Sequence, residues 1–336
     1  MKQRVKTAVV ILNWNGKSFL KKFLPSVTES LTEDTELWVA DNGSSDDSLD
    51  FLKSSYPDVK TLVLPENYGF AGGYNKALAQ IDAEYYLLLN SDIEVDRGWL
   101  KPLVGFMDAN ADYHACQPKL LAYNDPELFE YAGASGGHLD YLGFPFCRGR
   151  VFSVTEKDSG QYDDISDVFW ATGAALMVRS SVYHKLGGLD ELFFAHMEEI
   201  DLCWRIWTNG GKISVVPQSV VYHVGGGSLP RQSSRKTYLN FRNNHYLIYK
   251  NYPKELQRKI FRKRFIFDFI AAVKFALGGH LSDFFAVFRA RRHFKQNKSQ
   301  LVHSGATELP QIIYKHSIVR DFYLKGKKKY SDLDLS

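Results

Sequence analysis

Residues 84–96 read EYYLLLNSDIEVD. The run from Tyr85 to Leu89 has no polar face, and it stops on Asn90, Ser91 and Asp92. A strand that is apolar on both faces must be covered on both, as in a parallel sheet held between helix layers. In such sheets ligands bind outside the carboxyl ends of the strands. A carboxylate presented from a strand end, two residues after an amide, can hold a divalent cation through oxygen ligands. The plainer alternative is a strand-to-helix turn in which Ser91 or Asp92 serves as the cap.

Working outward, TAVVILN (7–13), ELWVA (36–40) and VKTLVL (59–64) are further short apolar runs. The helix-like segments KSFLKKFLPSV, DNGSSDDSLDFLKSS and AGGYNKALAQI separate them. This alternation predicts an α/β fold with a mostly parallel central sheet flanked by helices. The strand ends carry Asn13-Trp14-Asn15-Gly16, Asp41-Asn42-Gly43, Glu66-Asn67-Tyr68-Gly69 and Asn90-Ser91-Asp92. Four polar clusters on one rim make a site. Glycines in NYGFAGGYN allow close backbone approach, and the helix start that follows suits an anion. No GxGxxG follows the first strand, which argues against a dinucleotide-binding dehydrogenase.

Residues 110–180 are richer in glycine and aromatics and predict shorter strands and loops. A helix is expected over 196–209, then two short strands in GKISVVP and SVVYHVGGGS. From Ser233 onward the pattern is helical and basic. The expected division is a catalytic unit over 1–232, a basic helical region over 233–298, and a loosely ordered tail over 299–336.

The three cysteines, Cys116, Cys147 and Cys203, form no CxxC pair. They fit a reducing compartment better than a disulfide framework or a zinc-thiolate site. The apolar run after the basic first residues is too short for a secretory leader and reads as a first strand. A net charge of +4 hides a division of charge. Residues 1–230 carry 19 Lys and Arg against 31 Asp and Glu, whereas 231–336 carry 23 against 7. The basic third is expected to face something anionic.

Seven segments occur in the order seen in family 2 glycosyltransferases of the GT-A fold: VVILNWNG, DNGSSDDS, NYGFAGGYN, LLLNSD, TGAALMVRSSVYHKLGGLDELFF, EEIDLCWR and YHVGGGS. Over residues 5–250 the chain resembles that family, and most of all its rhamnosyltransferase-like branch in bacterial polysaccharide assembly. The resemblance implies a nucleotide-diphospho-sugar transferase fold, inverting transfer, and a UDP- or dTDP-sugar donor such as dTDP-rhamnose. It also implies a Mn2+ or Mg2+ cofactor and a glycan or polyprenyl-diphosphate-linked acceptor. Asp41 would contact the nucleotide base, while Asn67, Gly72 and Gly73 would lie along the nucleotide-sugar together with the rim residues Asn13, Asn15, Asn90, Ser91 and Asp92. Asn90-Ser91-Asp92 falls at the family's DXD position with Asn in place of the first acid. Asp92 is then the expected metal ligand, with His223 completing the metal or diphosphate site.

The family usually carries Glu-Asp where this chain has Glu198-Glu199. On a helix at about 100° per residue, Ile200, Cys203, Trp204 and Trp207 form one apolar stripe, and Leu202 and Ile206 a second row. Glu199 falls between the two rows and should face packed structure or a cleft. Glu198 points away from the main stripe, and Asp201 has ion-pair spacing to Arg205. A helix start accounts for Glu198 and Asp201, which leaves Glu199 as the candidate base. Trp170, Glu198 and Asp201 are placed on the acceptor side, Trp170 as a surface for stacking a sugar ring.

The segment RKIFRKRFIFDFIAAVKFALGG is too short and too charged to span a bilayer. A helix lying in an anionic membrane interface fits it, and a packing helix with a solvated basic face is the alternative. No nucleic-acid motif accompanies the charge. The expected place is the cytoplasm, peripheral on the inner face of the cytoplasmic membrane. Two other functions stay open: a non-catalytic nucleotide-sugar-binding or scaffold protein of the same fold, and a sugar nucleotidyltransferase. The second needs a Gly-rich loop after the first strand, and NWNGKS does not supply one.

Overall fold

The computed structural model describes residues 5–225 and 233–335. Strands β1 (Val5–Asn13), β2 (Thr35–Asn42), β3 (Lys60–Leu64) and β4 (Ala83–Asn90) pair in parallel in the order β3-β2-β1-β4. Between them run α1 (Lys17–Glu29), α2 (Ser48–Ser55) and α3 (Gly69–Leu78). The period of two is visible in the packing. Val9, Ile11, Leu87 and Leu89 pack in one cluster with Leu20 and Leu24 of α1. Ala8, Val10, Tyr86 and Leu88 pack in another with Tyr74 and Ala77 of α3. Each fully buried Val or Leu is worth about 1.5–3 kcal/mol, so these strands are held from both faces.

Beyond β4 the sheet is mixed. After β5 (Ile93–Val95), α4 (Leu100–Ala109), β6 (Tyr113–Ala122) and β7 (Asp125–Phe129), a second sheet forms from β8 (Gly137–Leu139), β9 (Pro145–Cys147), β10 (Arg150–Val151) and β11 (Val154–Thr155). The chain returns through β12 (Ser166–Asp167) into β13 (Ala175–Arg179), which lies antiparallel between β4 and β6. The sheet is therefore mixed: parallel through the first four strands and again between β6 and the last strand of the sheet, antiparallel where β13 enters. The reason is that β13 is entered from a loop at the rim and not through a crossover helix.

Helices α5 (Ser180–Lys185) and α6 (Glu198–Thr208) precede β14 (Lys212–His223), which pairs parallel with β6. GKISVVP and SVVYH are thus one strand and not two. Pro217, which has no N–H to donate, sits in the register shift between Val216 and Val220. The Gly226-Gly227-Ser228 end of YHVGGGS and the expected boundary at 232 lie outside the described residues.

The C-terminal region consists of α7 (Ser234–Asn251), α8 (Lys254–Leu277), α9 (Leu281–Asn297) and the short α10 (Ile318–Tyr323). Helix α7 is part of the main core through Tyr246, Leu247 and Ile248. Among the described residues no helix is long and apolar enough to cross a membrane. The tail, expected to be loosely ordered, packs on the second sheet. Tyr314, Ile318, Phe322 and Leu333 cluster with Phe146 and Val151, and buried Asp140 accepts the backbone N–H of Ile318 at 3.0 Å.

Candidate active site

The rim is tied together by side-chain amides. Asn13 and Asp41 are register partners at the ends of β1 and β2, and both are fully buried. Asn13 Nδ2 donates to Asp41 Oδ2 at 3.0 Å, and Asp41 Oδ1 accepts the backbone N–H of Ser44 at 2.9 Å. A base contact from Asp41 would have to use the lone pairs these bonds leave. Asn15, at φ +51°, accepts the N–H of Ser45 at 2.7 Å and so closes the loop over α1. Asn42, not singled out in the sequence, donates to Asn67 Oδ1 and to the Gly69 carbonyl and fixes the start of α3.

Gly72 and Gly73 are buried inside α3, not on an open rim. A Cβ on Gly73 would meet Leu12 at 2.8 Å and Asn42 Nδ2 at 3.0 Å. Their smallness serves close packing of helix on sheet, which corrects the placement along the nucleotide-sugar.

At the end of β4, Asp92 and His223 come together although they are 131 residues apart. His223 Nε2 lies 3.1 Å from Asp92 Oδ1 and 3.4 Å from Asn90 Nδ2. On its other side Nδ1 lies 3.3 Å from Glu130 Oε1. Glu130 is buried and also accepts the backbone N–H of Ala132. Burial works against the imidazolium, but Glu130 and then Asp92 outweigh it and raise His223 to about 10. Glu130 follows a short edge strand, and nothing in its local sequence marks it.

A hard cation needs oxygen ligands and can take several from substrate phosphates, so one or two carboxylates suffice on the protein. Asp92 and the side-chain carbonyl of Asn90 are the oxygen groups at this turn, and His223 could join them only after losing the proton that Glu130 and Asp92 hold on it. Among the described residues no group of three or more His, Cys, Asp or Glu side chains is arranged to hold an ion by itself. A metal here would share its coordination with the donor.

Ser91 Oγ lies 3.6 Å from where a Cβ on Gly16 would stand, and Asn90 N–H donates to Ala174 O at 2.9 Å. The adjacent Gly173 faces Phe70 and Glu199, and a Cβ placed on this glycine would stand 3.6 Å from that of Glu199. Glu199 therefore borders the same segment, 172–174, that braces the Asn90-Ser91-Asp92 turn.

Three non-glycine residues before α6 adopt left-handed backbone: Phe194 (φ +64°), His196 (+71°) and Met197 (+74°). Each such residue costs on the order of 1–3 kcal/mol and persists only where its surroundings over-determine it. Here α7 supplies the restraint. Asn243 Nδ2 lies within 2.7–2.9 Å of the carbonyls of Phe193, Ala195 and His196, and Arg242 donates to those of Leu192 and Phe193. Phe70 N–H donates to Phe194 O at 2.9 Å.

The three acids of the opening turn have three different environments. Glu199 is half-buried, but its Oε2 is shielded and has no hydrogen-bond partner among the described residues, and burial raises its pKa to about 7. Glu198 is almost fully buried. Burial, then Glu199 and Asp201, push its pKa well above the usual carboxylate range. Asp201 is fully buried and ionised. Burial opposes its charge, but Arg205 (2.9 Å) and Lys250 (2.9 Å), with a bond from Asn251 (2.7 Å), hold its pKa low.

A solvated helix start does not describe Glu198 or Asp201. The Arg205 pair exists as its spacing implied, but Asp201 belongs to the α6–α7 interface and not to an acceptor side. Trp170 is likewise core. It is 4% exposed, packs on Gly137 and donates Nε1–H to His138 O at 3.0 Å, so no sugar can stack on it.

A parallel half-sheet, an amide-lined rim, an Asp–His pair at its edge and a shielded glutamate beside them are thus gathered on one side of the sheet. Residues 8–164 match the family described as Glycosyl transferase family 2. The N-acetylglucosaminyl-diphospho-decaprenol L-rhamnosyltransferase of Mycobacterium tuberculosis is 26% identical over 233 residues, 64% of this chain and 75% of that protein. Among solved structures, GalNAc-T7 with UDP, GalNAc and Mn2+ superposes with a TM-score of 0.57 at 17% identity, covering 74% of this chain and 48% of that one. S. aureus TarS 1–349 with UDP-GlcNAc gives 0.57 at 18% identity, covering 87% and 81%. Residues 8–164 thus carry a family 2 glycosyltransferase domain, and the fold is GT-A.

Proposed function

We propose that the protein is an inverting, cation-dependent glycosyltransferase that moves a sugar from a UDP- or dTDP-linked donor, dTDP-rhamnose being one candidate, to a saccharide carried on a polyprenyl diphosphate. The acceptor class is suggested by the similar mycobacterial rhamnosyltransferase. A lipid-linked acceptor places the enzyme at the inner surface of the cytoplasmic membrane, in surface polysaccharide assembly.

The observation that carries the mechanism is Glu199, a shielded carboxylate with a pKa of about 7 beside the Asn90-Ser91-Asp92 turn. A general base works best when its pKa lies near the operating pH. In one displacement the acceptor oxygen bonds to the anomeric carbon as the bond to the diphosphate oxygen breaks. The acceptor proton passes to Glu199, and the electron pair leaves with the nucleoside diphosphate. Glu198, more deeply buried beside it and also raised, favours the neutral form, which suits Glu199 as the member that takes up the proton. Asp92 and His223 would hold the divalent cation, which when bound neutralises charge on the leaving diphosphate.

The test follows nucleoside diphosphate release by wild type and Glu199→Gln, using a panel of UDP- and dTDP-sugars with Mn2+ or Mg2+ and lipid-linked acceptors. Turnover of one donor by wild type, with binding but no turnover by the variant, supports the reading. Full activity of Glu199→Gln overturns Glu199 as the base.

A further inference from the structure

Helices α8 and α9 form an antiparallel hairpin through Gly278-Gly279-His280. The ring contacts give its register, with Phe269 beside Phe288 and Arg291 over Phe265 at 4.5 Å. Its outer face is sorted lengthwise. Toward the turn lie Phe265, Phe269, Ile270, Leu277, Leu281 and Phe285, all exposed, with Leu277 at 86% and Phe285 at 64%. Away from the turn the same face carries Arg258, Lys259 and Arg262 on α8 and Arg292 and Lys295 on α9, again exposed, while Arg289, level with Phe269, lies over the Tyr238 ring at 5.1 Å. An apolar end and a cationic base on one hairpin are not what a solvated packing helix needs, because large exposed aromatic patches mark interaction sites.

We infer that this hairpin docks the protein on an anionic bilayer by inserting its turn end into one leaflet, with the arginines and lysines at the level of the lipid phosphates. The thirteen residues from Phe265 to Leu277 rise about 18 Å, twelve steps at about 1.5 Å each. That matches one leaflet of a hydrocarbon core about 30 Å thick and falls well short of crossing it. A tilted, partly inserted hairpin replaces the single helix lying flat that the sequence suggested. Of the polar groups near the turn, His280 and Ser282 are exposed, whereas Lys274 and Asp283 are accommodated. Lys274 lies over the Tyr323 ring at 5.2 Å and is long enough to snorkel, and Asp283 is held by Thr237 Oγ1 at 2.5 Å.

The hairpin is also coupled to the cleft. Thr237 lies on the first turn of α7, and Arg235 on that same turn sits over the Phe194 ring at 5.6 Å. Docking would thus bring the strained loop before α6 toward the surface where a lipid-linked acceptor is displayed. Docking deepens the lipid-linked acceptor reading and rests on it for its purpose, but its test does not use turnover.

The experiment is flotation of the full chain with vesicles of phosphatidylcholine alone or with phosphatidylglycerol added, for wild type, Leu277→Asn/Phe285→Asn and Arg258→Gln/Arg292→Gln. All four positions are exposed, so unchanged thermal midpoints are expected. Wild type should float with the anionic vesicles, at least tenfold less with the neutral ones, and less at high salt. Each double variant should lose at least tenfold. Leu277→Trp fluorescence should be quenched by lipids brominated in the acyl chain, which separates insertion from adsorption. Absence of flotation, wild-type binding by the Asn variant, or a dimer in solution that the Asn variant abolishes would each overturn docking. If docking fails while donor turnover persists, only the hairpin assignment falls. If turnover fails while flotation persists, only the catalytic reading falls.

Discussion

Glu199 owes its pKa of about 7 to burial, and two opposite pH dependences follow from it. As a base it must be ionised, so kcat/KM should fall tenfold per pH unit below about 7 and level off above it. Stability should move the other way. A carboxyl whose folded pKa lies above its ordinary 4.5 stabilises the fold fully below pH about 4.5, and that contribution is lost as the pH rises through about 7. Glu198, raised further, adds in the same direction. Glu198→Gln, which keeps the protonated shape without the charge cost, should raise the melting temperature at pH 8 by about 2 °C or more and leave it unchanged at pH 4.5. A pH–rate profile and melts at the two pH values check both. Glu199→Gln should lower kcat by about 10²–10⁴-fold with donor affinity retained. Under the proposed cation site, Glu130 acts at one remove, through His223. A carboxylate behind a metal-ligating histidine fixes the ring, and its loss typically costs about 10–100-fold in metal affinity. Glu130→Gln should therefore weaken Mn2+ binding by about that factor in an EPR titration with nucleoside diphosphate present, and Glu130→Asp should restore part of it.

Helix α6 starts on a strained loop because α7 holds that loop from outside. Asn243 is a positioning residue: it touches no reacting atom, but its amide N–H groups face three carbonyls of the loop before Glu198. Asn243→Ala takes that donor from the Ala195 and His196 carbonyls, while Phe193 O keeps Arg242, and kcat should fall more than tenfold with little change in donor KM, a split that steady-state kinetics reads directly. Lys250 joins Asp190 at 2.6 Å and Asp201 at 2.9 Å across the same interface. Lys250→Met removes the shared cation from two carboxylates, and denaturant unfolding should show a loss of about 3 kcal/mol. These elements also mark how far the sequence could be read. Strand ends and helix stripes follow from local periodicity, so the rim of the parallel half-sheet and the shielded place of Glu199 were legible. The burial of Glu198 and Asp201 was not, because α7 covers that side of α6 and its contacts come from 49 residues further on. Trp170 and the α3 glycines were misplaced for a related reason. A ring beside a strand and a glycine near a rim look alike whether they meet a ligand or their own fold, and only the packing partner decides.

For the molecule as a whole, the division into an acidic body and a basic C-terminal third survives, but the independence of the parts does not. Composition marks the tail as loosely ordered because lysines and small polar residues dominate it. The few apolar side chains that pin it, Tyr314, Ile318, Phe322 and Leu333, are too widely spaced to show a period. They cover Phe146 and Val151 of the second sheet, and Tyr314 N–H donates to Leu139 O at 2.9 Å. Asp140 makes the joint polar as well. It is fully buried, burial raises its pKa to about 7, and the N–H groups of Leu142, Phe144 and Ile318 bond to its oxygens. Removing residues 305–336 would expose those aromatics and take the Ile318 donor from Asp140. Losing even two buried aromatic contacts costs several kcal/mol, a large part of the roughly 5–15 kcal/mol that holds a typical domain folded. The truncated chain should melt at least 10 °C lower and bind a hydrophobic dye, by calorimetry and fluorescence. An unchanged melting temperature would mean that the second sheet is stable uncovered and that the tail only rests on it. Ile318→Asn, a single change inside the same cluster, should reproduce part of the loss if the tail is integral to the fold.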